Sequence, residues 1–273
     1  MSASHFTFKQ FTIRQERCAM KVSTDGALLG AWADVKSTRQ QPHKPAHILD
    51  VGTGTGLIAL MAAQRNPAAR ILAIDIDPDA VRQAQENVGA SPFARRIVVR
   101  QADFRESALL HDEKDGALFD AILCNPPYFE NALRSPDASR STARHSDTLT
   151  LDDLALSASS LLRPSGTLSV ILPFERRRDM TAACATRGLR LTRETHVRTL
   201  PAKPPKRVLL EFSTTHPDNP DNPEIPEKPE FPEIPEFPEI PEIPAPSTLT
   251  IESSPGLPTL AFKALLKDFY LKF

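Results

Sequence analysis

Short apolar runs alternate with helix-length stretches over most of this chain. The runs have the length of buried strands, and the longer stretches between them have the length of helices. Such alternation predicts a parallel β-sheet with helices on both faces. The predicted strands are residues 48–51, 70–75, 96–103, 119–124 and 166–173, and the predicted helices are residues 57–65, 79–87, 151–162 and 175–187.

A proline-rich segment interrupts this pattern. Through residues 223–243 the triplet Pro-Glu-x repeats seven times, and a proline at every third position excludes both helix and sheet. The period favours a polyproline II spacer that extends to roughly 65 Å. Strand-like runs flank it at residues 207–212 and 248–252, so it interrupts one domain and does not separate two.

We therefore expect a single domain, residues 1–273. It would comprise an N-terminal extension (residues 1–45), a catalytic core (residues 46–216), the Pro-Glu-rich inserted loop (residues 217–247), and a C-terminal strand and helix that return to the core (residues 248–273).

A glycine-rich turn follows the first core strand. Gly52, Gly54 and Gly56 alternate with threonines, and glycine lets a backbone approach a ligand where a Cβ atom would collide. The spacing is G-x-G-x-G, and Asp50 stands just before it. A carboxylate there would repel the pyrophosphate of a dinucleotide, whereas a cationic amino-acid cofactor would tolerate it.

Acidic residues end the next two strands. Asp75 is placed to accept both hydroxyls of a ribose. Asp103 is placed to contact an adenine edge, with Phe104 as a ring neighbour, although Asp103 can also be read as a loop cap. Asp77, directly before Pro78, is interpreted as the cap of the following helix.

The tetrapeptide Asn125, Pro126, Pro127 and Tyr128 follows the fourth strand and indicates chemistry at an amine nitrogen. An amide side chain and a rigidly held backbone carbonyl can each accept one N–H of a planar amine. The aromatic ring offers a face for stacking. The alternative is structural, because two prolines can also simply end a buried strand.

Together these motifs resemble the amino-methylating branch of the class I S-adenosylmethionine-dependent methyltransferases. The opening at residues 6–13, the segment at residues 18–32 and the ending at residues 267–273 resemble the bacterial tRNA1(Val) (adenine-N6)-methyltransferases. In that family the substrate is the adenine at tRNA position 37, next to the anticodon. The resemblance implies a Rossmann-like α/β fold with a mostly parallel seven-stranded sheet and a C-terminal antiparallel hairpin.

The same resemblance implies the cofactor S-adenosyl-L-methionine, with S-adenosyl-L-homocysteine as product. The residues that it assigns to the cofactor are Thr24, Asp25, Asp50, Gly52, Gly54, Gly56, Asp75, Asp103, Phe104 and Asn125. The residues that it assigns to the amine site are Asn125, Pro126, Pro127 and Tyr128.

The charge distribution of the chain indicates what kind of macromolecule it binds. The chain has 33 basic and 34 acidic residues, but residues 217–247 hold nine of the acids and one lysine, so the remainder carries 32 against 25, a net charge of +7. A basic globular part favours a polyanionic partner, here tRNA. The candidate RNA contacts are Lys9, Arg14, Lys21, Arg134, Arg140, Arg144, His145, Lys203, Lys206 and Arg207.

Composition narrows the remaining classes. Cys18, Cys124 and Cys184 are scattered and odd in number, so the sequence predicts neither a disulfide framework nor a metal site. No apolar run is long enough to span a bilayer, and the first ten residues lack a charged-then-apolar leader. We expect a cytoplasmic enzyme with no membrane partner, as a monomer with a dimer left open.

Other substrates stay open at this point. The same Asn-Pro-Pro-Tyr chemistry serves glutamine methylation of release factors and adenine methylation of DNA, and the tetrapeptide does not separate them. Only the flanking resemblance favours tRNA. A non-enzymatic RNA-binding protein is disfavoured, because every cofactor and amine-site position holds a competent residue.

Overall fold

The computed structural model describes residues 4–18, 21–35, 44–106, 110, 118–126, 149–214 and 245–273. Its strands are β1 (His5–Thr7), β2 (Thr12–Arg14), β3 (His47–Val51), β4 (Arg70–Asp75), β5 (Ile97–Gln101), β6 (Phe119–Cys124), β7 (Leu162–Pro173), β8 (Leu189–Arg198), β9 (Arg207–Thr214), β10 (Ser247–Thr250), β11 (Glu252–Ser254) and β12 (Leu257–Pro258). Its helices are α1 (Thr24–Trp32), α2 (Leu57–Arg65), α3 (Pro78–Gly89), α4 (Leu151–Leu161), α5 (Arg177–Ala185) and α6 (Leu260–Leu266).

One eight-stranded sheet organises these elements, in the order β10-β8-β9-β7-β6-β3-β4-β5. Neighbouring strands from β7 to β5 pair in parallel, and β9 pairs antiparallel with both β7 and β8. The predicted mostly parallel sheet with a C-terminal antiparallel hairpin is therefore confirmed. The strand count differs by one, because β10 returns after the Pro-Glu-rich segment and pairs in parallel with β8, which would otherwise be an open edge.

Both faces of the sheet are covered, as predicted. Ile48 of β3 belongs to a core shared with α1, α2 and α6, whereas its neighbour Leu49 belongs to a second core shared with α4 and α5. Successive side chains of a strand point to opposite faces, so a strand covered on both sides is apolar at most positions. β6 is buried throughout, and its one charged residue, Asp120, forms an ion pair with Arg163.

Polar caps define where the helices begin. The Asp77 carboxylate accepts the N–H of Asp79 at 2.9 Å, with Pro78 as the first residue of α3, so the predicted cap is confirmed. Thr150 and Asp153 form a reciprocal capping box at α4. The predicted helix over residues 175–187 is shorter, because the tight turn Phe174–Arg176 precedes α5.

The three cysteines, Cys18, Cys124 and Cys184, are free and buried. Burial raises the pKa of each thiol, so none is set up as a thiolate nucleophile. Within the described ranges, no helix combines the length and the apolar character needed to cross a lipid bilayer.

The close approach of α1 and α2 gives a stability prediction. A Cβ atom on Gly30 would lie 2.8 Å from Sδ and 3.0 Å from Cβ of the buried Met61. Gly30→Ala should lower the free energy of unfolding by about 1–2 kcal/mol, the net of overpacking and the better helix propensity of alanine. Gly89→Ala is the matched control, since no described residue beyond its own helix has an atom within 4 Å of its Cβ position. Urea unfolding measures both, and equal stability of the two variants would contradict the packing argument.

Candidate active site

A cavity of about 250 Å³ lies at the carboxyl ends of β3, β4 and β6. Open α/β sheets bind their ligands at this edge. Residues from five stretches line it, namely 18–26, 51–58, 74–80, 102–105 and 124–126, together with Leu149. The β3–β6 register pairs Val51 with Cys124, so the residues that follow, Gly52 and Asn125, leave the sheet side by side.

The turn after β3 depends on its glycines. Gly52, Gly54 and Gly56 have φ values of +66°, +56° and +83°, in the left-handed region that other residues rarely adopt. Among the described residues, and apart from their own chain neighbours, no atom lies within 4 Å of the Cβ positions of Gly52 and Gly54, which both line the cavity. The turn is therefore open toward the cavity. Gly56 does not line the cavity and instead caps α2.

Asp50 lies behind this turn and is not part of the cavity wall. Its Oδ2 accepts the Thr53 hydroxyl at 2.6 Å and the Ala59 N–H at 3.1 Å, while its Oδ1 has no hydrogen-bond partner among the described residues. Complete burial raises the pKa of Asp50 to about 7, although the two hydrogen bonds oppose that shift. A half-satisfied buried carboxyl so close to a ligand cavity responds strongly to any nearby charge.

Asp75 ends β4 at the cavity, where the sequence predicts it. Its Oδ2 accepts the Gly54 N–H at 2.8 Å and its Oδ1 accepts the Asp77 N–H at 3.0 Å. The first bond joins the end of β4 to the glycine turn and fixes the turn. Burial raises the pKa of this carboxyl. Each carboxylate oxygen can accept a second hydrogen bond, so both keep capacity for a ligand.

Asp103 also lies at the cavity, but Arg105 takes up much of the hydrogen-bonding capacity of its carboxylate. The Arg105 guanidinium donates to both oxygens, with Nη2 to Oδ2 at 2.6 Å, and the Arg105 N–H donates to Oδ1 at 2.9 Å. These bonds lower the pKa of Asp103. The backbone bond from the Arg105 N–H to Asp103 is the local loop cap that the sequence left open as an alternative. Arg105, which the sequence reasoning missed, lines the cavity beside the buried Phe104.

Asn125 and Pro126 form the wall of the cavity at the end of β6. Asn125 is half-buried and Pro126 is buried, so the surrounding structure holds both residues in place at the cavity. Pro127 and Tyr128, the other half of the predicted amine site, lie outside the described residues.

The segment before α1 closes the cavity on another side. Cys18, Lys21 and Ser23 line it, whereas Thr24 and Asp25 do not. Ser23 accepts the Gly26 N–H at 3.2 Å and so fixes the start of α1. This cap is a local signal, whereas the cavity contacts of Cys18, Lys21 and Ser23 depend on how the N-terminal segment packs against the sheet.

Asp25 is instead held by an ion pair with Arg207, whose Nε lies 2.8 Å from Asp25 Oδ2. The sequence reasoning assigned Asp25 to the cofactor and Arg207 to RNA, yet the structure pairs the two side chains with each other. The pair joins the segment at the cavity to the start of β9.

The other candidate RNA contacts are dispersed. Lys9 donates to the backbone carbonyls of Lys267 and Phe273, tying the N-terminal segment to the C-terminal one. Arg14 is exposed, and Lys203 and Lys206 are exposed in the loop between β8 and β9. That loop lies at the same sheet edge as the cavity, because Arg207 pairs with Pro173 at the carboxyl end of β7. Arg134, Arg140, Arg144 and His145 lie outside the described residues.

A family model places this site in context. The methyltransferase small domain matches residues 37–177, which is just over half of the chain. The matched stretch contains the glycine turn, Asp75, Asp103 and Asn125.

Curated relatives match the chain over its length. A protein of Parabacteroides distasonis is 43% identical over 272 residues and covers 100% of both chains. One from Trichodesmium erythraeum is 39% identical over 275 residues with the same coverage. One from Phocaeicola vulgatus is 50% identical over 212 residues, 78% of this chain and 85% of the relative. Each of the three is named tRNA1(Val) (adenine(37)-N6)-methyltransferase.

Solved structures agree with the fold. The chain is similar to the crystal structure of a predicted O-methyltransferase from Agrobacterium tumefaciens, with a TM-score of 0.59 and 17% identity over 90% of this chain and 96% of that one. At this identity the similarity shows the fold alone, and the expected Rossmann-like methyltransferase fold is confirmed. The family model and the full-length relatives establish that this chain belongs to the methyltransferase small domain family and, within it, to the tRNA1(Val) (adenine(37)-N6)-methyltransferases.

Proposed function

We propose that this protein transfers a methyl group from S-adenosylmethionine to the exocyclic N6 of adenine 37 in tRNA1(Val). One observation carries the proposal: the open glycine turn after β3 and the Asn125 amide after β6 line one cavity on neighbouring strands. A methyl donor held by the turn and an amine held by Asn125 would meet there. The names of the full-length relatives support tRNA over the other amino substrates.

The described residues fit the proposed cofactor. Gly52 and Gly54 leave backbone open toward the cavity, where an amino-acid moiety can approach. Asp75 retains acceptor capacity for two ribose hydroxyls. Phe104 offers an apolar wall for an adenine ring. Asp50 would attract the cofactor ammonium through the turn, which suits its unpaired buried oxygen.

Bound S-adenosylmethionine would supply an electrophilic methyl carbon on a sulfonium sulfur and leave as S-adenosylhomocysteine. Asn125 would accept one N6–H through its side-chain oxygen, and the Pro126 carbonyl would accept the other. Both bonds favour a nitrogen whose lone pair has turned away from the adenine ring, so they strengthen as the nitrogen becomes tetrahedral. The N6 lone pair would form the new C–N bond to the supplied methyl carbon, and the electron pair of the broken C–S bond would remain on sulfur.

Proton loss from N6 follows and needs no strong base, since the nitrogen becomes acidic only when it gains the methyl group. The described part of the cavity supplies no thiolate for covalent catalysis, because burial raises the thiol pKa of both Cys18 and Cys124. Positioning therefore carries most of the rate enhancement. The adenine must leave its stack to enter, at a cost that is lower in a loop than in a duplex.

The substrate assignment is tested with radiolabelled cofactor. Unmodified tRNA1(Val) should gain N6-methyladenosine, and the same tRNA with guanosine at position 37 should stay unlabelled. Asn125→Ala should lower kcat about 100-fold or more and weaken cofactor binding far less, since it removes an acceptor used in the transition state. Label in release-factor glutamine, or in DNA, would overturn the assignment to tRNA.

The raised pKa of Asp50 predicts how cofactor affinity depends on pH. Below about pH 7 the buried carboxyl is protonated and neutral, and above it the carboxylate attracts the cofactor ammonium. The cation favours the ionised form, so binding releases a proton, and affinity should rise between about pH 5.5 and about pH 7.5. Asp50→Asn cannot ionise, so its affinity should be weaker and flat across that range. Calorimetry in two buffers measures the proton release, and equal release by both proteins would contradict the prediction.

Lys203 and Lys206 should contribute to RNA affinity, because they are exposed at the sheet edge that holds the cavity. The double change Lys203→Ala with Lys206→Ala should weaken tRNA binding and reduce the slope of log affinity against log salt by about 1–2. Arg70→Ala with Arg190→Ala removes the same charge at the opposite edge, near the starts of β4 and β8. In filter-binding titrations the control should keep the wild-type slope of log affinity against log salt. An equal loss of tRNA affinity in both double variants would refute a contact localised at Lys203 and Lys206.

A further inference from the structure

A cluster of planar side chains stands at the tip of β7, outside the cavity. The Phe174 ring meets the His196 ring edge-to-face, with centroids 4.8 Å apart at 83°, and the Arg177 guanidinium carbon lies 5.3 Å from the Phe174 ring centre. Glu194 holds the two polar groups, since one of its oxygens lies 3.0 Å from Arg177 Nη1 and 2.5 Å from His196 Nε2. We call Phe174, Arg177 and His196 the β7-tip cluster.

The cluster is held in place by a buried residue, but its surface is partly exposed to solvent. The Glu194 side chain is 6% exposed, whereas those of His196 and Arg177 are 17% and 29% exposed. Phe174 is also partly exposed and packs on the core only in part. A buried carboxylate thus fixes two planar groups around an aromatic ring whose surface reaches solvent. The methyl-transfer chemistry proposed above uses none of these residues.

Its position relates it to the amine site. The β6–β7 register pairs Cys124 with Val170, so Asn125 leaves the sheet at the level of Ile171. Phe174 follows three residues further, roughly 10 Å along the strand direction. β3 and β4, which carry the proposed cofactor site, lie on one side of β6, and β7 lies on the other, so the β7 side of Asn125 is the side away from the proposed cofactor. The cluster therefore stands where the neighbours of the target base would pass.

The surroundings favour nucleic acid over an apolar peptide. The Phe174 N–H donates to the Lys206 carbonyl at 3.2 Å, which places the loop with exposed Lys203 and Lys206 beside the ring. Arg178, the next residue of α5, is exposed as well. Unpaired bases of RNA stack on aromatic rings and on guanidinium planes, while nearby cations hold the phosphates.

We propose that the β7-tip cluster binds one unpaired base next to the methylated adenine and so selects RNA loops over isolated adenine. This inference rests on the proposed function and adds a subsite to it. The stacked neighbour holds the strand in the splayed form that lets adenine 37 enter the cavity. Binding of this neighbouring base positions the target adenine through the RNA backbone that connects the two. We therefore expect an effect on KM for tRNA more than on kcat.

The test pairs protein variants with altered tRNA. Wild-type protein should show KM about tenfold higher for tRNA1(Val) carrying an abasic nucleotide on one side of adenine 37 than for intact tRNA. Phe174→Leu, which keeps apolar bulk without a planar face, should raise KM for intact tRNA by a similar factor and show little further loss with the abasic tRNA. Phe174→Tyr keeps the ring and should behave as wild type. Cofactor affinity should be unchanged in both variants, and the thermal midpoint of Phe174→Leu should fall by no more than about 4 °C, because the ring packs on the core only in part.

The outcomes separate this inference from the function beneath it. Absence of methylated adenine with wild-type protein and intact tRNA refutes the proposed function itself. Normal methylation with equal KM for intact and abasic tRNA, tested at each side of adenine 37, overturns the subsite alone and needs no variant. Equal losses for the abasic tRNA in wild type and Phe174→Leu would also overturn it, because the base would then be bound elsewhere.

Discussion

The parallel pairing of β3 with β6 is the constraint on which the site depends. These strands are separated by more than sixty residues in the chain, yet their register makes Gly52 and Asn125 neighbours at one edge. Strand side chains alternate between faces, so a slip of one residue would turn Asn125 away from the turn. The continuous burial of β6 between two cores holds that register. A packing requirement thereby sets the distance between the proposed donor site and the proposed acceptor site.

Buried carboxyls then fix the turn that this pairing presents. Asp50 binds Thr53 and the start of α2 from behind, and Asp75 binds the Gly54 N–H from the neighbouring strand. Two acids inside a desolvated region are unfavourable as a pair of charges, and burial raises the pKa of both. A cationic ligand would relieve that cost. The electrostatics of the turn thus match the proposed cofactor better than they match a phosphate.

Contacts between sheet-edge segments connect the cavity to its surroundings. The Asp25–Arg207 ion pair ties the first turn of α1 to the start of β9, and the Phe174 N–H binds the backbone of the loop between β8 and β9. The cavity wall, the basic loop and the β7 tip are therefore joined by direct contacts. A polyanion bound to the loop would lie against the same surface that lines the cavity, and a separate RNA-binding domain is not required for that arrangement.

The sequence by itself determined the layered fold, the glycine turn, the acids at the strand ends and the cap at Asp77, because each depends on local geometry or on the period of apolar residues. The helix that the sequence predicts before β8 is too long. The sequence also gave no sign that β10 pairs with β8, since strand order is a long-range property. Only the tertiary structure decided that Asp25 pairs with Arg207, that Arg105 occupies Asp103, that Asp50 stands behind the cavity, and that Phe174 stands near Asn125. Such side-chain partners come from segments far apart in the chain, and a composition or a spacing contains no record of which of them the packing brings together.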